Sequence, residues 1–404
     1  MTSSEPSVAG VYNVTASRYD DNNVTDMNVT AELGTTTPSP WGRFGPIEQY
    51  GEFWAGYYIN LYYLWVVFAV GFPGNIASFV TVLRMPPLTS STGYVAALAV
   101  MDNLGIICKL LFHQLTLYDV QMGAGSCQAL YFFGSFFIMY ANWILVAMSV
   151  ERFIAIWFPL RVTTLCTGTK SILLMIIIAF VIIGADLHFL WTATVEVTGN
   201  KDVRCTFNKE HMEFIEKIWY WIDGCLYAII PCILLVMFNG LIILGIRKSR
   251  KIQKDLTNNK SDQMAEKYRQ QRQITIMLIV VSIVFVVLVL PNCLFFIVKP
   301  YWVFESGSHG QAVNYLVSQL IFLLSDFNHA INFYLYFLTA RRFRRRFTDT
   351  LCCQTSGRKP FTSIMRTANS NISNTSIYTT QTSMNGFARE SGNNNSKKYH
   401  TTTT

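Results

Sequence analysis

Charged residues are scarce in this chain. Asp, Glu, Lys and Arg make up only 14% of its 404 residues, whereas hydrophobic residues make up 51%. Because a soluble domain carries roughly a quarter charged residues, this composition argues against an ordinary soluble protein. The low charge and the mean hydropathy of +0.30 indicate an integral membrane protein.

Signatures of enzymes and metal sites are missing as well. No CxxC pair indicates zinc, and neither HExxH nor GxSxG, the motifs expected of a membrane protease or hydrolase, occurs. The nine cysteines are spread along the chain and do not make a disulfide scaffold. The first 50 residues lack the apolar stretch of a cleavable signal peptide, so the first apolar run is expected to direct membrane insertion. We predict neither an enzyme nor a cofactor.

Apolar residues instead occur in seven long runs. A bilayer core of about 30 Å needs about 20 helical residues, and each run is long enough. Polarity within the runs does not alternate with the period of two that membrane strands show, so helices are expected. We predict an all-α membrane protein, a seven-transmembrane helix bundle over residues 57–338. The predicted spans are 57–83, 93–115, 128–156, 171–193, 217–246, 273–298 and 312–338.

The positions of Lys and Arg predict how the bundle lies in the membrane. Most of the 32 basic residues fall in the first, third and fifth connections between spans and in the C-terminal segment, which share one side of a seven-span chain. The positive-inside rule then places the N-terminus outside and the C-terminus in the cytoplasm, in the plasma membrane. The net charge of +8 therefore belongs to the cytoplasmic leaflet and does not indicate nucleic-acid binding.

Polar segments flank the bundle. Residues 1–56 are predicted to form a disordered extracellular segment, and residues 351–404 a disordered, Ser/Thr-rich cytoplasmic tail that suits phosphorylation. The N-terminal segment contains three sequons for glycosylation, at Asn13, Asn23 and Asn28. Sequons also occur in the C-terminal tail, so they do not by themselves set the topology.

A basic amphipathic stretch follows the last span. Within residues 339–350, Phe343 and Phe347 are four positions apart and arginines surround them. This pattern predicts a short eighth helix that lies on anionic membrane lipid. Cys352 and Cys353 follow at once and form a candidate palmitoylation pair.

An adjacent acid and base, followed by an aromatic residue, end the third apolar run: Glu151-Arg152-Phe153. A charge in hydrocarbon costs roughly 2.5–3.5 kcal/mol, and an acid–base pair at the membrane face costs less. Alone, the pair could simply mark a helix that ends at the interface. Together with Cys127 at the start of this run and six further runs, it resembles the rhodopsin-like (class A) G-protein-coupled receptors. Their third helix starts with a disulfide cysteine and ends in Asp/Glu-Arg-Tyr, and the resemblance covers roughly residues 57–348.

The resemblance implies roles for specific residues. Glu151, Arg152 and Phe153 would serve G-protein coupling, with Arg152 paired to Glu151 at rest. Cys127 would form a disulfide with Cys205, the only cysteine of the loop 194–216. Residues that match the family's activation network are Asp102, Asn142, Pro231, Phe285, Pro291, Asn328, Asn332 and Tyr336.

The sequence departs from the family pattern in several places. Phe333 replaces the proline of Asn-Pro-x-x-Tyr, and the tryptophan expected before Pro291 is missing. The family often binds sodium at the aspartate that Asp102 matches. Ala141, however, stands where a serine of the third helix usually supplies oxygen, so sodium at Asp102 is left open.

The residues at the family's ligand-binding positions argue against a monoamine ligand and against a light receptor. Gly134 occupies the place of the aspartate in amine receptors, and Asp326 the place of the lysine in opsins. Candidate pocket residues are Lys109, Gly134, Asp223 and Asp326, with the aromatic residues Tyr131, Trp219, Tyr220 and Trp221. The acids suit an arginine-bearing peptide, although Lys109 could neutralise Asp326 or extend to the interface. Asp186 and His188 are expected to make local bonds.

We therefore predict a receptor for an extracellular ligand, specifically a neuropeptide, similar to invertebrate neuropeptide receptors. The implied partners are a heterotrimeric G protein, membrane lipid, and arrestin and a receptor kinase at the tail. A receptor for an amine, lipid or chemosensory ligand remains an alternative. A seven-span transporter is less favoured because the two halves show no internal repeat, and a channel because no filter is visible.

Overall fold

A computed structural model gives the fold of this protein and describes residues 45–85, 90–118, 120–159, 161–197, 203–256 and 262–351. Between residues 249 and 272 it describes the course of the helices without their side chains. The predicted glycosylation sites Asn13, Asn23 and Asn28 and the predicted palmitoylation sites Cys352 and Cys353 lie outside the described residues.

Seven long helices and one short helix account for most of the described chain. The fifth, α5, comprises residues 212–256, in which two wide turns of π type precede the regular stretch Ile230–Leu256. The others are α1 (Gly51–Leu83), α2 (Ser90–Leu117), α3 (Ala124–Trp157), α4 (Gly168–Asp186), α6 (Asp262–Val298), α7 (His309–Thr339) and α8 (Arg341–Leu351). The predicted seven-helix bundle is thereby confirmed.

The described residues contain six helices that are long and apolar enough to span a membrane, and α7 is not among them. Its inward face carries buried polar side chains, which lower its hydropathy: Gln319, Asp326, Asn328, His329 and Asn332. It nevertheless packs against α1, α2 and α6 as a full member of the bundle. The buried polar residues that lower the hydropathy of α7 are therefore the residues that this helix contributes to the interior of the bundle.

The helices approach closely where glycine leaves room. A Cβ atom at Gly71 of α1 would lie 2.9 Å from the Cβ of Ala330 on α7, and one at Gly105 of α2 would lie 2.7 Å from Ile138 of α3. Without a hydrophobic effect inside lipid, such close packing is a main source of helix association. On the outside, α4 exposes large apolar residues such as Phe180 and Val181, as expected of a surface that faces lipid.

The N-terminal boundary of the bundle differs from the prediction. The segment 1–56 was expected to be disordered up to its end, whereas α1 begins at Gly51. The first turn is held by α7, because Phe53 stacks on Tyr315 and the Glu52 carboxylate lies 3.2 Å from His309 Nε2. These contacts join residues far apart in sequence, so they extend the helix beyond its apolar run.

A β-hairpin covers one end of the bundle, here named the hairpin end. Strands β1 (Ala193–Val197) and β2 (Val203–Phe207) pair antiparallel, with Cys205 opposite Val195. The fourth span, predicted to reach residue 193, ends earlier: α4 stops at Asp186, and a short helical turn leads into β1. The expected disulfide between Cys127 and Cys205 is present and ties β2 to the start of α3.

Replacing Cys205 with serine should strongly destabilise the protein. The disulfide closes a loop with a sequence separation of 78 residues, and a loop of that size stabilises a fold by about 4–5 kcal/mol on the chain-entropy estimate. Thermal unfolding of the purified protein and its abundance at the cell surface measure the effect. Cys225→Ser, which removes a free cysteine, is the control; equal melting of the two variants would refute the structural role of the disulfide.

The opposite end of the bundle carries α8 and is here named the α8 end. Phe343 is buried and packs edge-on against Phe333 and Tyr336 of α7. Phe333 also contacts Phe347, with ring centroids 5.0 Å apart. The phenylalanine that replaces the family's proline therefore anchors α8, while the helix turns exposed arginines such as Arg345 outward.

Candidate ligand and signalling sites

A buried ion pair joins α2 to α7 in the half of the bundle nearer the hairpin end. Lys109 Nζ donates a hydrogen bond to Oδ1 of Asp326, and the two side chains are only 9% and 4% exposed. Oδ2 of Asp326 has no hydrogen-bond partner. Of the two alternatives for Lys109, the structure has the one in which it neutralises Asp326, because burial of an unpaired acid would be costly.

Asp223 of α5 lies in the same region but has no comparable partner. Its side chain is 2% exposed, and Oδ1 makes no hydrogen bond. The Lys109 ammonium attracts the Asp223 carboxylate while it bonds Asp326. The single ammonium group of Lys109 therefore partly neutralises two carboxylates, those of Asp223 and Asp326.

A third carboxylate, Asp186 at the end of α4, adds to this negative charge. Ser135 on α3 donates to its Oδ1 at 3.1 Å, Oδ2 has no hydrogen-bond partner, and Asp223 is close enough to repel it. The expectation of a local bond was wrong for Asp186, whose partner lies on another helix. It was right for His188, whose Nδ1 lies 3.0 Å from the Thr192 hydroxyl. The predicted pocket residue Gly134 is buried beside Ser135.

Aromatic residues pack against the hairpin from inside the bundle. Tyr131 of α3 packs against Phe207 of β2 and Phe189, with ring centroids 4.9 and 5.6 Å apart. Trp219 and Tyr220 are also buried, whereas Trp221 is exposed on the outside of the bundle. Three of the four predicted aromatic pocket residues thus face inward.

A polar network around Asp102 occupies the middle of the bundle. Asp102 is fully buried, and both of its carboxylate oxygens accept hydrogen bonds from α7. His329 Nδ1 lies 2.8 Å from Oδ1, and Asn332 Nδ2 donates to Oδ2 at 2.8 Å. Sequence analysis did not single out His329. The signal was its position three residues before Asn332, which places both side chains on one helix face.

Other predicted network residues join α3, α5, α6 and α7. Asn142 Nδ2 donates to the backbone carbonyl of Tyr227 at 2.9 Å, and the Tyr227 hydroxyl lies 2.8 Å from the Ser325 hydroxyl. Pro231 directly follows a wide turn of α5, as expected because a proline lacks a backbone N–H donor. Phe285, Asn328 and Tyr336 are buried, and Pro291 lies inside α6.

The acid–base pair near the α8 end is held by three helices. Glu151 Oε1 accepts from Arg152 Nη2 at 2.7 Å and from the Ser91 hydroxyl of α2 at 2.8 Å. Ser171 of α4 donates to Oε2 at 3.4 Å. The predicted pairing of Glu151 with Arg152 is confirmed, and Phe153 packs on Phe238 of α5 beside it.

Comparison with known proteins agrees with this architecture. Residues 74–336 match the family described as 7 transmembrane receptor (rhodopsin family). Neuromedin-U receptor 1 of Rattus norvegicus is 26% identical over 314 residues, which cover 71% of this chain and 73% of the relative. Galanin receptor 2b of Danio rerio is 25% identical over 300 residues, again 71% and 73%. The FMRFamide receptor of Drosophila melanogaster is 23% identical over 350 residues, 78% of this chain and 58% of the relative.

The family match covers more than half of the chain, and it includes α2 and most of α7, the helices that build the Asp102 network. The bundle, the disulfide and the Glu151–Arg152 pair occupy the positions at which the sequence resembled this family. The chain therefore belongs to the rhodopsin family of seven-transmembrane receptors, which are multi-pass membrane proteins and not a class of enzymes.

Proposed function

We propose that this receptor binds an extracellular peptide with a basic residue and activates a heterotrimeric G protein in response. The observation that carries the proposal is the buried Asp223 carboxylate, whose Oδ1 has no hydrogen-bond partner, beside the Lys109–Asp326 pair. The relatives support the peptide class, because they are receptors named for neuromedin-U, galanin and FMRFamide.

Charge balance favours a cationic group in the ligand. Asp223 and Asp326 share a single ammonium, that of Lys109, and Asp186 adds a third carboxylate that repels Asp223. A buried carboxylate without a hydrogen bond is costly, and a guanidinium from a ligand would remove that cost through two parallel N–H···O bonds. Since Lys109 already bonds Asp326, Asp223 is the better acceptor for an arginine of the peptide.

Binding would act through the equilibrium between two arrangements of the bundle. In the resting arrangement Glu151 holds Arg152, and serines of α2 and α4 hold Glu151. A peptide that binds the other arrangement better shifts the population toward it, and a G protein that binds the opened α8 end stabilises the same arrangement. The Asp102 network, which joins α2 to α7 between the two ends, would carry the coupling.

The proposal also implies which end of the bundle faces outward and which further partners the receptor has. The Lys and Arg bias and a disulfide at the hairpin end both favour that end facing outward at the plasma membrane, with the N-terminus extracellular. Exposed arginines on α8 would then face anionic lipid. Glycosylation of the N-terminal sequons, palmitoylation of Cys352 and Cys353, and phosphorylation of the tail by a receptor kinase followed by arrestin binding belong to this orientation.

The proposal is tested by a charge-deletion experiment on both partners. Cells expressing the receptor are screened with amidated peptides in a calcium or nucleotide-exchange assay, and the active peptide is remade with citrulline, a neutral isostere, in place of arginine. Asp223→Asn should lower the potency of the arginine peptide about 30-fold or more, because losing one partner of a buried charge pair costs at least roughly 2 kcal/mol.

The citrulline peptide should show little further loss on the Asp223→Asn receptor, because the interaction is already gone. Glu210→Gln is the matched control, since it removes one exposed acid from the hairpin end without touching the buried acids. Equal loss of potency in the two variants, or a response to an amine or lipid with silence to every peptide, would refute the proposal.

A further inference from the structure

The family implies a sodium ion at Asp102, and the structure allows that expectation to be tested. A small hard cation needs several oxygen ligands, including carboxylate oxygens that are free to bind it. The site must also leave room for the ion between the helices. Neither condition is met around Asp102.

Both oxygens of the Asp102 carboxylate are already hydrogen-bonded by donors from α7. Each oxygen accepts a hydrogen bond of 2.8 Å, one from His329 Nδ1 and one from Asn332 Nδ2. Both donors belong to α7, and both are buried together with Asp102. An ion at this carboxylate would therefore compete with two buried side chains that already hold it.

At the position where the family's serine stands, the facing helix supplies no ligand. Ala141 of α3 is buried and has no side-chain oxygen. The nearby amide of Asn142 points its Nδ2 at the Tyr227 carbonyl of α5. One turn beyond Asp102 on α2, Gly105 lies against Ile138 so closely that a Cβ would be 2.7 Å away, so the gap between α2 and α3 is closed by hydrocarbon.

His329 is in turn held in place from α1. Asn75 Nδ2 donates to the backbone carbonyl of His329 at 3.0 Å and to Asn103 Oδ1 at 3.0 Å. Asn103 completes the contact by donating to the Phe72 carbonyl of α1 at 3.2 Å. The backbone of His329 is therefore held by Asn75 of α1, so the position of this residue does not depend on Asp102 alone.

We infer that the His329 side chain takes the place of the sodium ion at Asp102, which makes this receptor indifferent to sodium. His329 is a positioning residue: it satisfies Asp102 from within the chain and fastens α7 to α2. This inference does not depend on the class of ligand or on coupling to a G protein. It predicts that serine at position 329, which supplies an oxygen but is too small to fill the space of the imidazole, would open a sodium site that the natural chain lacks.

Thermal unfolding of the purified full-length receptor tests the inference with the ion alone. Melting is followed by circular dichroism at about 0.15 M sodium chloride and at the same concentration of choline chloride, which keeps ionic strength constant. The natural receptor should melt at the same temperature in both. His329→Ser should melt at a lower temperature in choline and gain about 3 °C or more in sodium, because an ion that binds only the folded state stabilises it.

Two further variants distinguish sodium binding at Asp102 from a general effect of salt on the melting temperature. His329→Asn keeps an N–H donor near Asp102 and should remain indifferent to sodium. His329→Ser combined with Asp102→Asn should lose the sodium effect, because the carboxylate is gone. Sodium stabilisation of the natural receptor that disappears in Asp102→Asn would overturn the inference, as would a His329→Ser receptor that does not respond to sodium.

Discussion

Removing one partner of the Lys109–Asp326 pair should destabilise the receptor by about 3–5 kcal/mol, because the other charge is left buried and unpaired. Asp326→Leu and Lys109→Met should each lower the melting temperature and the amount of protein at the cell surface. The double variant should recover only part of the loss, because an apolar pair of similar volume needs no compensating charge but Asp223 is left without the Lys109 ammonium. Melting of the purified proteins and surface labelling of intact cells give the two readouts.

The exposed Lys217–Glu213 pair provides a matched control. Its side chains are 71% and 80% exposed, and the two residues are four apart on one helix face. Lys217→Met should leave the melting temperature nearly unchanged, because water screens such a pair. If the Lys109→Met/Asp326→Leu variant is as unstable as the sum of its single variants, the two side chains are not coupled and the geometry of this pair is refuted.

Replacing Arg152 with alanine should reduce ligand-stimulated nucleotide exchange about tenfold or more at normal surface expression, because the coupling between the two ends acts through this side chain. Ser91 and Ser171 still donate to Glu151 in that variant, so the fold should persist. Glu151→Gln should act in the opposite direction and raise activity without ligand, since the charge that holds Arg152 is removed. Nucleotide exchange on membranes with equal receptor content measures both effects.

Ser90→Ala is the control for Arg152→Ala, because Ser90 lies beside Ser91 but its hydroxyl bonds the Cys166 carbonyl and not Glu151. It should signal as the natural receptor does. If Arg152→Ala also signals normally at normal surface expression, the proposed role of Arg152 is wrong.

The features that the sequence predicted correctly depend on local pattern. Seven apolar runs, an acid next to a base and a lone cysteine in a loop can each be identified without knowing how the helices rotate. Glu151 and Arg152 are adjacent, so their pairing needed no tertiary information. The predicted bundle and its family follow from signals of this kind.

The features that the sequence could not predict depend on which faces of separate helices meet. Asp186 bonds Ser135 only because α4 turns that face toward α3, and no spacing within either segment encodes that rotation. His329 was overlooked because a histidine in an apolar run has many possible partners, and Asp102 is 227 residues away in the chain. The early start of α1 likewise depends on contacts with α7.

The central claim is that peptide binding at the hairpin end and G-protein binding at the α8 end favour the same arrangement of the bundle. Coupling of this kind is reciprocal, so it appears in the affinity of the peptide alone. The direct test is the dissociation constant of the active peptide for purified receptor in lipid nanodiscs, measured with and without nucleotide-free G protein. The account predicts that the G protein tightens peptide binding about tenfold or more and that Arg152→Ala removes the effect; an affinity that the G protein leaves unchanged would contradict it.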